Sequence, residues 1–282
     1  MLIPRILTAI ALLAVLLPAL FAGSADPFAA VTLVLIVAAC WEWGRLNQAG
    51  GWWSAAIGIA VGVALAMLWW LPDESLVMAP AVERVIWLVA SAVWVLGAAF
   101  LIRSGVGEWA KFARWARLIL GWLLLATAWW ALARARALGV NFLLSLLVLV
   151  WVADVAAYFG GRAWGKRKLA VAISPGKTWA GALSGLVAVL LLSFAWLQLD
   201  QAGVVDSASV FSVLWGRQPV VALIGVIFLV TMAVIGDLIE SLVKRSAGVK
   251  DSSGLLPGHG GVLDRVDALL PVLPIGMMLV TV

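Results

Sequence analysis

The 282-residue chain contains one cysteine, one histidine and one tyrosine, and only 12% of its residues are charged. Cys40 stands alone, so neither an internal disulfide nor a cysteine-based metal site is available. So small a charged fraction, beside 65% hydrophobic residues and a mean hydropathy of +1.12, excludes a water-soluble domain, which runs about half apolar and a quarter charged. The few positive residues lie in short stretches between apolar runs, which argues against nucleic acid as a partner. A net charge of +5 suits anionic lipid headgroups and nucleotides better.

What the chain has in abundance is apolar length. Runs occur at Ile6–Ala22, Phe28–Trp41, Trp53–Leu71, Val85–Ile102, Leu118–Ala133, Asn141–Phe159, Trp179–Leu197, Val220–Ile235 and Leu269–Val282. At about 20 residues per crossing, these predict an all-α polytopic integral membrane protein of about nine transmembrane helices in a lipid bilayer. The last run is short and carries Pro271 and Pro274, so whether it crosses is left open. Arg5, the first run and Gly23-Ser24-Ala25 imitate a secretory signal, but the apolar character of the whole chain favours a retained first helix. With the N-terminus cytoplasmic, fifteen Lys and Arg fall inside, and only Arg84, Arg134, Arg136 and Arg217 fall outside. That bias sets the orientation, with the polar loops in the cytoplasm; the expected location is a bacterial inner membrane.

The eighteen tryptophans include Trp52-Trp53, Trp69-Trp70 and Trp129-Trp130, near the ends of runs where an interfacial belt would lie. The stretch from Gly107 to Trp115 alternates aromatic and basic residues and predicts an interfacial helix. No repeat or linker divides the chain. One continuous membrane domain is expected, with N-terminal helices over 1–140 and a catalytic region over 141–282.

Charges inside such a chain are informative because a carboxylate at mid-helix costs about 2.5–3.5 kcal/mol to insert. Asp154, within an apolar run, reads either as a helix-end residue that reaches water or as one facing an internal site. A denser cluster spans Gly236 to Asp267, with nine charged residues, six glycines and His259. Asp237, Ser241 and Lys244 fall at i, i+4 and i+7, and Asp264 and Asp267 at i and i+3, each set on one helical face. Carboxylates so placed suit a hard divalent cation, Mg²⁺ when nucleotide phosphates are bound as well; they also suit an acidic helix N-terminus. Between them, Gly254 to Gly261 offers backbone amides to phosphate oxygens. His259 serves there as an acid, a hydrogen-bond donor or a structural residue. Upstream, a basic loop with Ser174-Pro175-Gly176-Lys177-Thr178 ahead of a helix suits a phosphate group, though it lacks the spacing of a Walker loop.

These residues resemble the signature of the phosphatidate cytidylyltransferase (CDP-diacylglycerol synthase) family. Ser241, Lys244-Arg245, Lys250-Asp251, Pro257, His259-Gly260-Gly261, Asp264-Arg265 and Asp267 match it over 27 residues. Asp154, Ala157-Tyr158, Gly165-Lys166 and Ile173 to Thr178 resemble its upstream region, whereas the first 140 residues match only in general character. The resemblance implies a nucleotidyltransferase using CTP and phosphatidic acid, and a homodimer. It places Asp237, Asp264 and Asp267 on the metal, with Lys244 and His259 also catalytic. Ser174, Lys177, Ser241, Arg245, Lys250, Asp251, Gly260, Gly261, Arg265 and Asp154 fall to the substrates. A CDP-alcohol phosphotransferase is discounted because its Asp-Gly-x-x-Ala-Arg pattern is missing. A CTP-dependent polyprenol kinase and an ion-coupled transporter are the alternatives.

Overall fold

A computed structural model describes residues 2–70 and 79–281. Its helices run in chain order as α1 (Leu2–Leu20), α2 (Asp26–Leu46), α3 (Gly51–Trp70), α4 (Pro80–Ser104), α5 (Val106–Trp109), α6 (Arg114–Leu138) and α7 (Val140–Trp164). A hairpin of β1 (Lys168–Ala170) and β2 (Ser174–Thr178) follows. The chain ends in α8 (Trp179–Gln201), α9 (Val210–Arg217), α10 (Pro219–Ser246), α11 (Leu263–Val266) and α12 (Leu269–Thr281). Leu71 and Val282, the last residues of the third and ninth apolar runs, lie outside the described residues.

Among the described residues, eight helices are long and apolar enough to cross a membrane: α1 to α4, α6 to α8 and α10. The chain is a polytopic α-helical membrane protein. Helices dominate because polar backbone inside the hydrocarbon core has no water to bond and must satisfy its amides within the segment. The ninth run is different. α12 has 13 residues, about 20 Å at 1.5 Å each, against a hydrocarbon core of about 30 Å. Leu269 to Met277 are all buried, and the helix packs against α4, α6 and α10 inside the bundle.

Two local expectations change. The interfacial helix over Gly107–Trp115 is instead the single turn α5, a break, and the start of α6. Trp109 turns inward, where its indole N–H donates to Asn47 Oδ1 at 2.9 Å. Nor do all the tryptophan pairs form a belt. Trp52 and Trp53 are exposed and stacked, but Trp129 and Trp130 are 1% and 5% exposed. Their N–H groups reach Thr32 Oγ1 at 3.2 Å and Glu83 Oε1 at 3.1 Å, and Trp43 and Trp122 likewise bond carbonyls of Arg117 and Cys40. A buried indole usually finds an acceptor, and neighbouring helices provide it for these four, though the Trp87 and Trp94 nitrogens are buried without one.

Small residues set a close crossing between α7 and α8. A Cβ at Gly185 would lie 2.8 Å from the Ala153 carbonyl oxygen, and one at Gly181 2.7 Å from that of Ala157, so α7 and α8 touch backbone to backbone. Thr178 caps α8 by accepting from the Gly181 amide at 3.1 Å, which fixes the hairpin beside α7.

Opposite the hairpin end, Asp200 gathers the start of α7 and the loop before α9. It accepts from Asn141 Nδ2 at 2.8 Å, the Ser209 amide at 2.9 Å, and the Ser209 and Ser212 hydroxyls at 2.5 Å each. Asp200→Ala leaves these donors without their acceptor and is expected to cost about 2–4 kcal/mol. A lowered thermal midpoint of the purified protein in detergent checks this.

Candidate active site

Two groups of charges form at the hairpin end of the bundle, one open and one closed. The open group lines a cavity of about 510 Å³ between α7, the hairpin and α10. Asp154 and Tyr158 come from α7, Lys177 from β2 and Asp237 from α10, with Arg162 and Lys168 at the rim. Asp154, mid-run in the sequence, is exposed and lines this open cavity. Lys177 Nζ pairs with Asp237 Oδ2 at 2.7 Å and donates to the Val234 carbonyl at 3.3 Å. The i, i+4 spacing holds as expected, with Ser241 Oγ donating to Asp237 Oδ1 at 3.3 Å.

Asp267 reaches this neighbourhood because residue 236 is glycine. A Cβ there would lie 2.5 Å from the Asp267 carbonyl oxygen and 2.9 Å from the Pro271 ring. The head of α12 therefore seats directly on α10. Burial raises the Asp267 carboxyl above the usual carboxylate range, and the neighbouring Asp237 charge pushes the same way, against the Ala268 amide and Lys177.

The closed group holds the loop after α10. Lys244 pairs with Glu240, one turn back on its own helix, and with Asp264 Oδ1 at 2.7 Å; its side chain is only 13% exposed. Asp264 also accepts from the Ser252 amide at 3.0 Å, Ser252 Oγ at 3.1 Å and the Gly261 amide at 2.7 Å. Burial pushes its carboxyl up, but contact with Glu240 and Lys244 and the Gly261 amide outweigh that and leave it at about 2. Its folded value lies below the ordinary 3.8, so the stabilisation is full above that pH and fades as pH falls towards 2.

Sequence reasoning missed the other anchor of this loop. Glu42 of α2 is fully buried and accepts from Ser252 Oγ at 3.1 Å, Ser253 Oγ at 2.5 Å, and the amides of Val262 and Leu263 at 3.0 and 2.7 Å. The signal was present: a glutamate beside an apolar run carries the same insertion cost that singled out Asp154. Gly261 is needed between the anchors, since a Cβ there would meet both Ser252 Oγ and the Glu42 carboxylate.

Outside the knot, the remaining motif residues are more open. Arg245, Lys250, Asp251 and Arg265 are exposed, and Ser174 is half-buried in β2. Arg265 donates to the His259 carbonyl at 2.7 Å. The turn through Pro257 to Gly260 closes with the Leu256 amide on the Gly260 carbonyl at 2.8 Å, and Gly260 takes a φ of +87° that favours glycine. His259 sits in this turn with its Nδ1 buried and unbonded. Arg5 and Thr8 of α1 bond the carbonyls of Gly258 and Pro257 at 2.8 and 3.0 Å, so the start of α1 lies at the same end as the site.

Asp264 and Asp267 stand one helical turn apart, with the Asp267 amide on the Leu263 carbonyl at 3.1 Å. Asp264 is occupied by the knot, while Asp267 lies towards Asp237. Among the described residues, no three His, Cys, Asp or Glu side chains converge as a metal-binding set. Near the cavity, three carboxylates still offer the oxygen donors that a hard cation takes. Asp154, Asp237 and Asp267 are all-oxygen donors from three elements, with Lys177 as a shared positive neighbour.

A helical membrane bundle with an acidic and basic cavity at one end is the frame of a membrane-embedded enzyme acting on phosphate groups. The chain matches the model of the cytidylyltransferase family over residues 3–282 and belongs to that family, a group of nucleotidyltransferases. It is 37% identical over 280 residues to the phosphatidate cytidylyltransferase of Pseudomonas aeruginosa, covering 98% of this chain and 95% of that one. It is 35% identical over 295 residues to that of Haemophilus influenzae, covering 97% and 96%. A third such protein, from Brucella suis, is 47% identical over 134 residues, 47% of this chain and 44% of its own.

The two lysines should behave differently on removal. Lys244→Ala leaves Glu240 and Asp264 buried without their cation and is expected to cost about 3–5 kcal/mol. Lys177→Ala opens a pair at the cavity wall and should leave the fold near wild type. Thermal unfolding of both variants in detergent separates them.

Proposed function

We propose that the chain transfers CMP from CTP to phosphatidic acid, giving CDP-diacylglycerol and pyrophosphate. The observation that carries this reading is the cavity walled by Asp154, Lys177 and Asp237 at the end of the bundle where the glycine-histidine loop lies. The names of the full-length relatives support it as well.

In this reaction a phosphate oxygen of the lipid attacks the α-phosphorus of CTP. The bond to the β-phosphate oxygen breaks, and pyrophosphate leaves with the electron pair. The attacking phosphate is already anionic near neutral pH, so no separate base is required. What the protein must supply is alignment and neutralisation of crowded negative charge. Lys177 on the cavity wall, with Arg162 and Lys168 at its rim, would bind phosphate oxygens. Exposed Lys250, Arg245 and Arg265 would attract the triphosphate or the lipid headgroup from the loop side. Ser174 and the Gly260 and Gly261 backbone complete the polar surroundings.

Asp237 and Asp267, with Asp154 across the cavity, would hold a divalent cation, Mg²⁺ by its preference for oxygen donors and phosphates. When bound, such an ion neutralises charge on the transferring and leaving phosphates. Asp264, expected on the metal, and Lys244, expected to be catalytic, are given a positioning role instead, because each is occupied within the closed knot. The basic bias of the loops supports a cytoplasmic site and an N-terminus on the same side, in a bacterial inner membrane. A homodimer is the assembly the family resemblance implies.

Purified protein in detergent with phosphatidic acid, Mg²⁺ and α-labelled CTP tests the reading. Label is expected to enter the lipid, with pyrophosphate released and both lost on chelation. Asp237→Ala and Lys177→Ala should each reduce transfer by at least about 100-fold while the protein stays folded. Folded protein that binds CTP without labelling phosphatidic acid overturns the proposal in favour of another CTP-using lipid enzyme, such as a polyprenol kinase.

A further inference from the structure

We infer that Glu42, in the second helix and outside the motif region, is a positioning residue for the reaction; the inference rests on the cytidylyltransferase reading above. Its carboxylate is fully buried, and all four of its hydrogen bonds go to one segment more than 200 positions away in sequence. Two of the donors are the hydroxyls of Ser252 and Ser253. The other two are the amides of Val262 and Leu263, which open α11 and have no carbonyl of their own helix to bond. A negative group suits that end of a helix.

The geometry makes Glu42 one jaw of a clamp. Asp264 is the other, bonded to Ser252 and Gly261 from within the loop and fixed to α10 through Lys244. The strands of chain entering and leaving the loop, at Ser252 and at Gly261, are held between the two carboxylates. Only one turn separates this clamp from Asp267, the carboxylate that reaches towards Asp237. Displacing α11 therefore displaces Asp267. It also releases Lys250, Asp251 and His259, which flank or cap the clamped segment.

A carboxylate buried only for stability would be a poor choice, since apolar packing of similar volume usually does as well or better. What the charge adds is a single arrangement of two hydroxyls and two amides. Both serines need their hydroxyls and Gly261 needs to lack a side chain for that arrangement to close.

The test compares Glu42→Gln and Glu42→Ala with the unaltered chain in detergent. Steady-state transfer from CTP to phosphatidic acid is read together with amide hydrogen exchange by mass spectrometry. A glutamine side chain keeps one acceptor oxygen and loses the other. Transfer is expected to fall about 10-fold in kcat for Glu42→Gln and about 100-fold for Glu42→Ala, the size a displacement of about 1 Å produces. KM for CTP should change less than about three-fold, and exchange should quicken across residues 250–264 while α7 and α8 keep their protection. Wild-type kcat in both variants overturns the inference. So does a loss of kcat accompanied by faster exchange throughout the chain, which marks a residue needed only for folding. If the unaltered chain transfers no CMP, the reaction reading fails by itself, and unchanged exchange at 250–264 in both variants then overturns the clamp.

Discussion

Lys244 reaches the carboxylates of Glu240 on its own helix and Asp264 on the following loop, and the rest of the site hangs from that contact. Removing charges from water is costly, and the cost is recovered only when geometry supplies an opposite charge and a full set of hydrogen bonds. Lys244 provides the charge. The loop provides the bonds, from Ser252 and Gly261 to Asp264 and from Ser252, Ser253, Val262 and Leu263 to Glu42. A segment rich in glycine, which would otherwise be free to move, is thereby tied to both α2 and α10.

The open cavity follows the opposite rule. Asp154, Asp237 and Lys177 make few bonds to backbone, and the Lys177 and Asp237 side chains are 23% and 33% exposed. Groups left this way remain available to exchange one ionic partner for another, which phosphate chemistry requires. The difference between the two groups is structural in origin. Lys244 lies deep in the last turns of a spanning helix, whereas Lys177 sits on a short hairpin whose Thr178 caps α8.

The sequence made the bundle legible through its apolar runs, because helices in lipid are selected by length and composition. It made the motif region legible through the density of charge between Gly236 and Asp267. It did not reveal which charges would be spent on structure. Lys244 reads as catalytic and Lys177 as a substrate ligand, and only packing shows Lys244 enclosed by two carboxylates and Lys177 on a cavity wall. At Asp264 and Asp267 the spacing holds within the one turn of α11, but it could not show that Lys244, Ser252 and Gly261 would occupy Asp264. Composition misled at Trp129 and Trp130 for a related reason: a belt is the default for indoles, but α6 faces α2 and α4, whose polar atoms accept their N–H groups.

The N-terminal helices carry little that resembles the family's motif, yet they set its geometry. Glu42 orders the loop from below, Arg5 and Thr8 bond its turn at Pro257 and Gly258, and α12 is buried against α4 and α6. Much of the outer surface of these helices is exposed apolar side chain, where any apolar residue of suitable size serves. The few positions that touch the loop have no such freedom. A single carboxylate at the end of α2 fixes two amides, two hydroxyls and the absence of a side chain at Gly261. A helix with almost no motif character therefore becomes part of the site by supplying one charge in one place.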